Sequence, residues 1–180
     1  RIAVPISIDT YKAATAERAI AAGATIVNDI SGLMFDPALA GVVARTGVAV
    51  VLMHTRGRPD RMAAEAEYGP DPVGEVIDEL AMRGLAAAEA GIEPAQVIFD
   101  PGIGFAKRAE HSLAAIGQLD RFGRLGRPVM VGPSRKSFLA PSLGAVPASD
   151  RIWGTAAAVT AAILAGAHIV RVHDVGAMVQ

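Results

Sequence analysis

The sequence contains no cysteine, and this absence excludes several kinds of site at once. Disulfide bridges, thiolate metal sites and cysteine nucleophiles are all ruled out. Aromatic residues make up only 4% of the chain, and the formal net charge is −1. A charge this close to zero argues against nucleic acid or an anionic membrane as the main partner.

Segments that would span or target a membrane are missing as well. The longest apolar runs have the length of β-strands or are broken by glycine, whereas a membrane helix needs about 20 mostly apolar residues. No signal peptide is visible. The chain opens on RIAVPISID without a methionine, so we expect its natural N-terminus to lie further upstream.

The residues that are present are typical of a compact α/β protein. The 180 residues are 52% apolar, with many alanines and 19 glycines. This length can bury one sizeable core, so residues 1–180 are predicted to form a single domain. Six short runs with strand character alternate with helical stretches: VPISID, TIVNDI, VAVVLMH, VIFDPGIGF, PVMVG and HIVRVHD.

Strands that are apolar on both faces and alternate with helices predict a parallel sheet covered by helices. Two architectures fit, an open doubly wound sheet and a TIM (β/α)₈ barrel. Every strand ends in residues able to form hydrogen bonds: Asp9, Asn28 and Asp29, His54, Asp100, Ser134, and Arg171 with His173 and Asp174. In a barrel all such ends face one shared site, whereas an open sheet concentrates them at one switch point. We therefore predict the barrel, although six units are two fewer than eight.

Three of these residues offer hydrogen-bond acceptors. Asp9 precedes a helix and could instead be its N-cap. Asn28 carries both a donor and an acceptor, which suits the edge of a heterocycle, or it could satisfy loop backbone. Asp100 lies before Pro101-Gly102, where capping is less natural. A carboxylate at a buried strand end needs donors from the protein or from a ligand.

Three other residues supply positive charge. Arg171 and His173 alternate along a strand, so their side chains project to one face. Such a cationic pair suits an oxyanion like phosphate, although Arg171 could instead pair with a neighbouring Asp. Lys136 follows Ser134 in GPSRKS. This motif lacks the closing glycine and the triad of a nucleophile elbow, so Ser134 is not expected to be a nucleophile.

Apolar side chains complete the predicted pocket, with Met53, Ile103 and Phe105 as lining. Trp153 is assigned to the core, and the arginine-rich run TRGRPDR to a solvated loop. Acids and bases segregated in this way suit a ligand with a donor-rich ring and an anionic tail. Too few carboxylates converge for a two-metal site.

Six motifs in order and spacing, SIDT, NDISG, LMH, DPGIGF, GPSRKS and RVHD, closely resemble those of the bacterial dihydropteroate synthases, which are pterin-binding enzymes of folate biosynthesis. The resemblance covers essentially the whole chain. It implies a TIM barrel of which the chain supplies the third to eighth strands, without the first two βα units and most of the last helix. We expect about 80–100 further residues upstream, because such barrels usually take roughly 250 residues.

The resemblance also implies a role for each candidate residue. Asp9, Asp100 and Lys136 would be the catalytic residues. The pterin site would comprise Asp9, Asn28, Met53, Asp100, Phe105, Gly132 and Lys136. Arg171 and His173 would hold the pyrophosphate, and Ser134 and Lys136 the p-aminobenzoate. Mg²⁺ would be bound mainly through the pyrophosphate, with no protein ligand identified.

The implied activity joins 6-hydroxymethyl-7,8-dihydropterin pyrophosphate to p-aminobenzoate and releases pyrophosphate. The implied partners are these two small molecules and a second copy of the chain, with which it would form a homodimer. The implied location is the cytoplasm. Two alternatives stay open. One is a pterin-binding domain that presents methyltetrahydrofolate to a corrinoid protein, and the other is a non-catalytic barrel fragment.

Overall fold

The computed structural model describes residues 3–144 and 146–180. Within these residues, six short strands alternate with helices along the chain. The strands are β1 (Ser7–Asp9), β2 (Ile26–Asp29), β3 (Ala49–Met53), β4 (Val97–Asp100), β5 (Met130–Val131) and β6 (Ile169–Val170). The helices are α1 (Ala13–Ala21), α2 (Ala38–Thr46), α3 (Pro72–Glu89), α4 (Ala109–Gly117), α5 (Ala140–Leu143), α6 (Ile152–Leu164) and α7 (Val175–Met178).

The strands are parallel and follow one another in chain order. Strands β1 to β4 form one sheet in that order, and β5 pairs with β6. A bridge between Phe99 and Val129 joins the two groups, and the Phe99 N–H donates to the Pro128 carbonyl at 2.9 Å. An order that never reverses confirms the barrel over the doubly wound sheet, whose strand order turns back at a switch point. The six strands form an arc of that barrel.

The helices begin and end where their sequences dictate. In α3 the Asp71 carboxylate accepts a hydrogen bond from the Gly74 N–H at 3.0 Å, and Pro72 takes the first turn, a common pair of start signals. Helix α2 ends at Gly47, whose φ of 70° is left-handed. The core lies between the strands and these helices and includes Val27, Leu52 and Phe99.

Two details of the predicted core and helices are wrong. Trp153 was expected in the core but is 80% exposed, because it lies on the face of α6 that points away from the sheet. The run HSLAAIGQLDRFG is typical of a single helix, but it ends as an α-helix at Gly117 and continues as a 3₁₀ helix from Leu119 to Leu125. In the part of the chain that the structure describes, no helix is long and apolar enough to cross a membrane.

Candidate active site

Alternation along the strands decides which polar side chains face the inside of the arc. A cavity of about 530 Å³ lies there, and Asp9 of β1, Asn28 of β2 and Arg171 with His173 after β6 are among its lining residues. Asn28 is two residues from the lining residue Ile26, and Arg171 is two residues from Ile169, as expected from side chains that point to opposite faces in turn. The carboxyl ends of β1, β2 and β6 therefore share one mouth.

Asp9, Asn28 and Arg171 contact one another at this mouth. The Asn28 amide donates to Asp9 Oδ1 at 2.9 Å, and the Arg171 guanidinium forms an ion pair with Asp9 Oδ2. The N-cap position of α1 is Lys12, so Asp9 does not cap that helix. The alternative considered for Arg171, pairing with an Asp, is realised here. Both side chains are about half exposed, and such pairs contribute little to stability.

Asp100 is buried at the end of β4, with 6% of its surface exposed. Its Oδ1 accepts a hydrogen bond from the Gly102 N–H at 2.7 Å. Burial raises the pKa of the Asp100 carboxyl, while the charges of Lys136, Lys107 and Arg171 and the Gly102 N–H oppose that rise. Because β5 lies between β4 and β6, Asp100 at the end of β4 and Arg171 after β6 lie at the same end of the barrel, two strands apart.

Gly102 has no room for a side chain. Its φ is +69°, and a Cβ added there would lie 1.9 Å from the His54 carbonyl oxygen and 3.3 Å from the Met53 side chain. The backbone of the loop after β4 therefore crosses directly over the end of β3. The His54 N–H donates in turn to the Asp100 carbonyl at 2.8 Å. This close approach fixes Asp100 and Met53, which is 3% exposed, beside each other.

Ser134 and His173 form a two-point contact. The His173 backbone N–H donates to Ser134 Oγ at 3.2 Å, and His173 Nδ1 lies 2.9 Å from the same oxygen. A serine hydroxyl has one donor and two acceptor sites, so Oγ can accept from the backbone N–H and also bond to Nδ1 in either direction. Ser134 is 4% exposed, so its hydroxyl acts mainly through His173.

Lys136 reaches from the loop after β5 to the loop after β4. Its ammonium donates to the Ile103 carbonyl and lies 4.5 Å from the centroid of the Phe105 ring. Burial lowers the pKa of Lys136 to about 8, although the Asp100 carboxylate favours its charged form. Ile103 was expected to line the pocket, but its side chain is fully buried in the core, and only its carbonyl takes part.

Gly132 and Arg135 both lie in the loop that follows β5. A Cβ on Gly132 would lie 3.9 Å from Arg171 Cβ, so the residue after β5 packs against the base of the Arg171 side chain. Arg135 has a left-handed φ of 60°, and its Nε donates to Asp174 at 3.0 Å. This pair ties the loop after β5 to the start of α7.

Two expectations about neighbouring residues are wrong. His54 follows β3 but does not face the mouth, because its ring is buried with Nε2 3.0 Å from Glu79 and Nδ1 2.8 Å from Lys107. Arg56, in the run assigned to a solvated loop, donates to Glu79 Oε1 at 3.0 Å and lies 4.0 Å over the Tyr68 ring. Lys107 escaped sequence reasoning, although its place directly after DPGIGFA was a signal for it.

A metal site is not formed by the carboxylates at the mouth. Within residues 3–144 and 146–180, no group of three or more His, Cys, Asp or Glu side chains could hold a metal ion. Asp9 and Asp100 are instead engaged by Arg171 and by the Gly102 N–H. The donor set among the described residues therefore does not fit a resident Mg²⁺ ion.

Comparisons with known proteins agree with this geometry. The chain is 47% identical over 177 residues to the dihydropteroate synthase of Synechocystis sp., covering 98% of the chain but only 61% of that relative. The dihydropteroate synthase structure from Stenotrophomonas maltophilia, with imidazole bound in its active site, matches with a TM-score of 0.94 and 42% identity over 99% of this chain and 67% of that one. The enzyme of Xanthomonas albilineans, solved in complex with 7,8-dihydropteroate, matches with a TM-score of 0.90 and 37% identity, over 99% of this chain and 64% of that one.

The chain also matches the model of a whole protein family. The family model described as pterin binding enzyme matches residues 1–173, which include every strand and every residue of the candidate site. The chain therefore belongs to the family of pterin-binding enzymes.

Proposed function

We propose that the protein is a dihydropteroate synthase, which condenses 6-hydroxymethyl-7,8-dihydropterin pyrophosphate with p-aminobenzoate. The observation that carries the proposal is the cluster at one mouth, where the Asn28 amide and the Arg171 guanidinium both bind the Asp9 carboxylate. A flat ring with several N–H donors and an anionic tail needs hydrogen-bond acceptors and a cation at one mouth, and Asp9, Asn28 and Arg171 supply them. The Xanthomonas albilineans relative, bound to 7,8-dihydropteroate, supports the same substrate class.

The acceptor end of the mouth suits the pterin. In the proposal, Asp100 accepts from a ring N–H and the exocyclic amine, and Asn28 and Asp9 contact the other ring nitrogens. Hydrogen bonds to an ionised carboxylate are stronger than neutral ones, and the low exposure of Asp100 keeps water from competing. Met53 and Phe105 flank the ring, with Gly132 and Lys136 at its edge.

The cationic end suits the pyrophosphate and the second substrate. Arg171 is half exposed, so an incoming diphosphate can replace Asp9 as its partner. His173, held by Ser134 through Nδ1, directs its other ring nitrogen away from that contact and can donate to phosphate oxygen. Lys136 and the outer edge of Ser134 face the position proposed for p-aminobenzoate, where sulfonamides would compete.

The proposed chemistry is a substitution at the pterin methylene. The bond between that carbon and the pyrophosphate oxygen breaks, and its electron pair leaves with pyrophosphate while ring nitrogen electrons stabilise the developing cation. The arylamine nitrogen then forms the new C–N bond and gives its proton to water. The protein supplies no nucleophile. Asp9 and Asp100 stabilise the cationic ring, Lys136 orients the substrates, and Arg171 and His173 stabilise the leaving group, so that orientation and charge stabilisation provide the catalysis.

Mg²⁺ belongs to this proposal only through the substrate. Mg²⁺ prefers oxygen ligands and binds diphosphates readily, so we expect it on the pyrophosphate. No step assigned to residues of this chain depends on it.

A homodimer in the cytoplasm completes the proposal. Four residues at helical spacing on α6, Trp153, Ala157, Ala161 and Leu164, are exposed, with Trp153 at 80% and Leu164 at 84%. An apolar helix face of this kind suits contact with a second copy of the chain. Sedimentation of the complete protein and of a Leu164→Glu variant tests the dimer, which the variant should weaken. Cell fractionation tests the location.

Formation of 7,8-dihydropteroate by the complete protein tests the proposed function. The purified protein is incubated with the pterin pyrophosphate, p-aminobenzoate and Mg²⁺, and the product is followed by chromatography. Asp120→Ala, an exposed carboxylate on the 3₁₀ helix, is the matched control for Asp100→Ala. We expect the wild type and the Asp120→Ala control to form product and the Asp100→Ala variant to form none. Absence of product, or binding of methyltetrahydrofolate in place of the pyrophosphate substrate, would overturn the proposal.

A further inference from the structure

The turn that follows β5 holds a residue in a conformation that its side chain does not favour. The Lys136 N–H donates to the Pro133 carbonyl at 3.5 Å and closes a four-residue turn. Within it, Arg135 has a left-handed φ of 60°, a region where glycine or asparagine is usual because a Cβ there crowds the backbone. Such a conformation persists only where neighbouring groups fix it. We call residues 133–136 the Arg135 turn.

The start of α6 supplies the groups that fix this turn. The Arg135 N–H donates to Thr155 Oγ1 at 3.0 Å, and the Arg135 carbonyl accepts from the Arg151 guanidinium at 3.0 Å. Thr155 is fully buried, so water has no access to its hydroxyl. Arg151 is itself anchored, because it also donates to the Val146 carbonyl at 3.2 and 3.3 Å. Both backbone polar groups of Arg135 are therefore held from the start of α6.

The Arg135 turn holds His173 at two points. Ser134 Oγ accepts from the His173 N–H at 3.2 Å and lies 2.9 Å from Nδ1 of its ring. Arg135 Nε donates at 3.0 Å to Asp174, the residue after His173. A serine side chain has a single carbon, so the Ser134 hydroxyl moves with its backbone. A shift of the turn would therefore shift His173, which lines the cavity at the mouth.

The alternative explanation is that Thr155 only stabilises α6. A threonine inside a helix can bond its hydroxyl to a carbonyl one turn back in the same helix. The Thr155 hydroxyl accepts from a different segment, at the residue whose backbone is left-handed. This placement indicates a role in the shape of the turn. Lys136 has a long side chain whose ammonium is bound to the Ile103 carbonyl, so we expect a shift of the turn to affect His173 more.

We propose that Thr155 and Arg151 are positioning residues for His173, which they place through the Arg135 turn so that its ring meets the diphosphate of the substrate. They act through Ser134 and Arg135 and not by contact with the substrate. The inference rests on the proposed function, because it needs a diphosphate at His173.

Removal of the Thr155 hydroxyl tests this inference. Thr155→Val keeps the branched shape but leaves the Arg135 N–H without its acceptor. Affinity is measured by calorimetry in the complete protein. We expect binding of the pterin pyrophosphate to weaken about fivefold, the equivalent of about one hydrogen bond, and binding of the same pterin without the diphosphate to change less than about twofold. Thr155→Ser restores the hydroxyl and should return to within about twofold of the wild type.

Combination with Ser134→Ala gives a readout that a general loss of stability would not move. If Thr155 acts through Ser134, the two substitutions remove the same contact to His173. The double variant should then bind the pterin pyrophosphate about five- to tenfold less tightly than the wild type, instead of the roughly 25-fold expected for independent sites. Thr160→Val, the same substitution at an exposed threonine of α6, should match the wild type within about twofold.

A variant of Arg151 tests the other contact to the turn. Arg151→Met keeps most of the side-chain volume but removes the donors to the Arg135 carbonyl. It should weaken binding of the pterin pyrophosphate in the same direction as Thr155→Val. It serves as the test if Thr155→Val does not fold, as judged by thermal melting.

The outcomes separate the two proposals. Binding of the pterin pyrophosphate at wild-type affinity by folded Thr155→Val, or by Arg151→Met where the former does not fold, overturns the inference alone. Equal losses for the pterin with and without the diphosphate also overturn it, as does a double variant that reaches the full product of the single losses. Failure of the wild type to bind the pterin pyrophosphate overturns the proposed function and the inference with it.

Discussion

Arg171 and Asp9 form an ion pair that joins the last strand of the arc to the first. Asp9 Oδ1 accepts at the same time from the Asn28 amide at 2.9 Å. Two groups predicted to bind opposite ends of one substrate are thus partners of each other in this structure. Because both side chains are about half exposed, the pair costs little to open, and substrate can replace each partner with its own charge.

Arg171→Ala should weaken binding of the pterin pyrophosphate by about 10- to 100-fold, since hydrogen bonds to charged groups contribute about 1.5–3 kcal/mol. The affinity for 6-hydroxymethyl-7,8-dihydropterin without the diphosphate should change much less. Calorimetry with both ligands measures the difference. Arg45→Ala is the matched control, because Arg45 lies in the last turn of α2, at the opposite end of the barrel. Equal losses for both ligands would remove Arg171 from the pyrophosphate site.

Asp100→Ala should reduce affinity for the pterin by at least about 100-fold, because two charge-assisted hydrogen bonds are lost together. Asp100→Asn, which keeps the shape but can accept only through one oxygen, should fall between the wild type and the alanine variant. Titration with the dihydropterin, followed by its fluorescence, measures all three. Unchanged affinity in a folded Asp100→Ala protein would contradict the assigned role.

The sequence predicted which side chains at the strand ends group together, but it did not predict the contact between His54 and α3. Parallel strands bring their carboxyl ends together, so Asp9, Asn28 and Asp100 could be grouped before any coordinates. The same alternation, applied to β3, would have turned His54 outward, because Val51 lines the cavity and lies three residues away. Sequence spacing does not show which helix side chain meets that ring, so the contact with Glu79 of α3 required the structure.

Sequence patterns also could not predict which long side chains are exposed and which form ion pairs. Trp153 was assigned to the core by its size, yet which face of α6 meets the sheet depends on the packing of the neighbouring helices. Arg56 was assigned to solvent by its composition, but Glu79 and Glu75, both on α3, bind it. Composition describes average exposure, whereas these contacts depend on one particular tertiary arrangement.

Gly102→Ala should lower the free energy of unfolding by about 3 kcal/mol or more, since the added methyl group would meet backbone in a left-handed residue. The clash is with the His54 carbonyl, 1.9 Å from the new Cβ, and backbone cannot move aside as a side chain can. Urea unfolding followed by circular dichroism measures the change. Gly117→Ala, where nothing lies within 4 Å, is the control and should stay within about 1 kcal/mol of the wild type.

His54 should make the protein less stable as the pH falls from 6.5 to 3. Burial lowers the pKa of His54 from 6.5 to about 3, against the opposing influence of Glu79. The unfolded chain therefore binds a proton in this window that the folded chain does not, and stability falls by up to about 1.4 kcal/mol per pH unit as acid is added. Glu79, whose pKa is lowered to about 2 by His54 and Arg56 despite its burial, adds a loss of the same sign between pH 4.5 and 2.

His54→Gln isolates this contribution, because glutamine can accept from Lys107 and donate to Glu79 as the neutral imidazole does. Urea unfolding at a series of pH values should show a shallower slope between pH 6.5 and 4.5 in the variant. His111→Gln removes an imidazole that instead lies against the Tyr68 ring, with centroids 4.8 Å apart, and should keep the steeper slope. Identical slopes in the wild type and His54→Gln would show that the buried ring is not the source.

Ser134→Ala distinguishes two roles for one hydroxyl. If Ser134 acts by fixing the His173 ring, as its contacts at 3.2 and 2.9 Å indicate, the loss falls on the ligand that His173 holds. We expect affinity for the pterin pyrophosphate to drop about fivefold, the equivalent of about one hydrogen bond, with less change for the pterin lacking the diphosphate. Ser137→Ala, an exposed serine three residues on, should match the wild type. A rise confined to the KM for p-aminobenzoate would instead assign the hydroxyl to the second substrate, because a ring held in place by Ser134 would affect the diphosphate first.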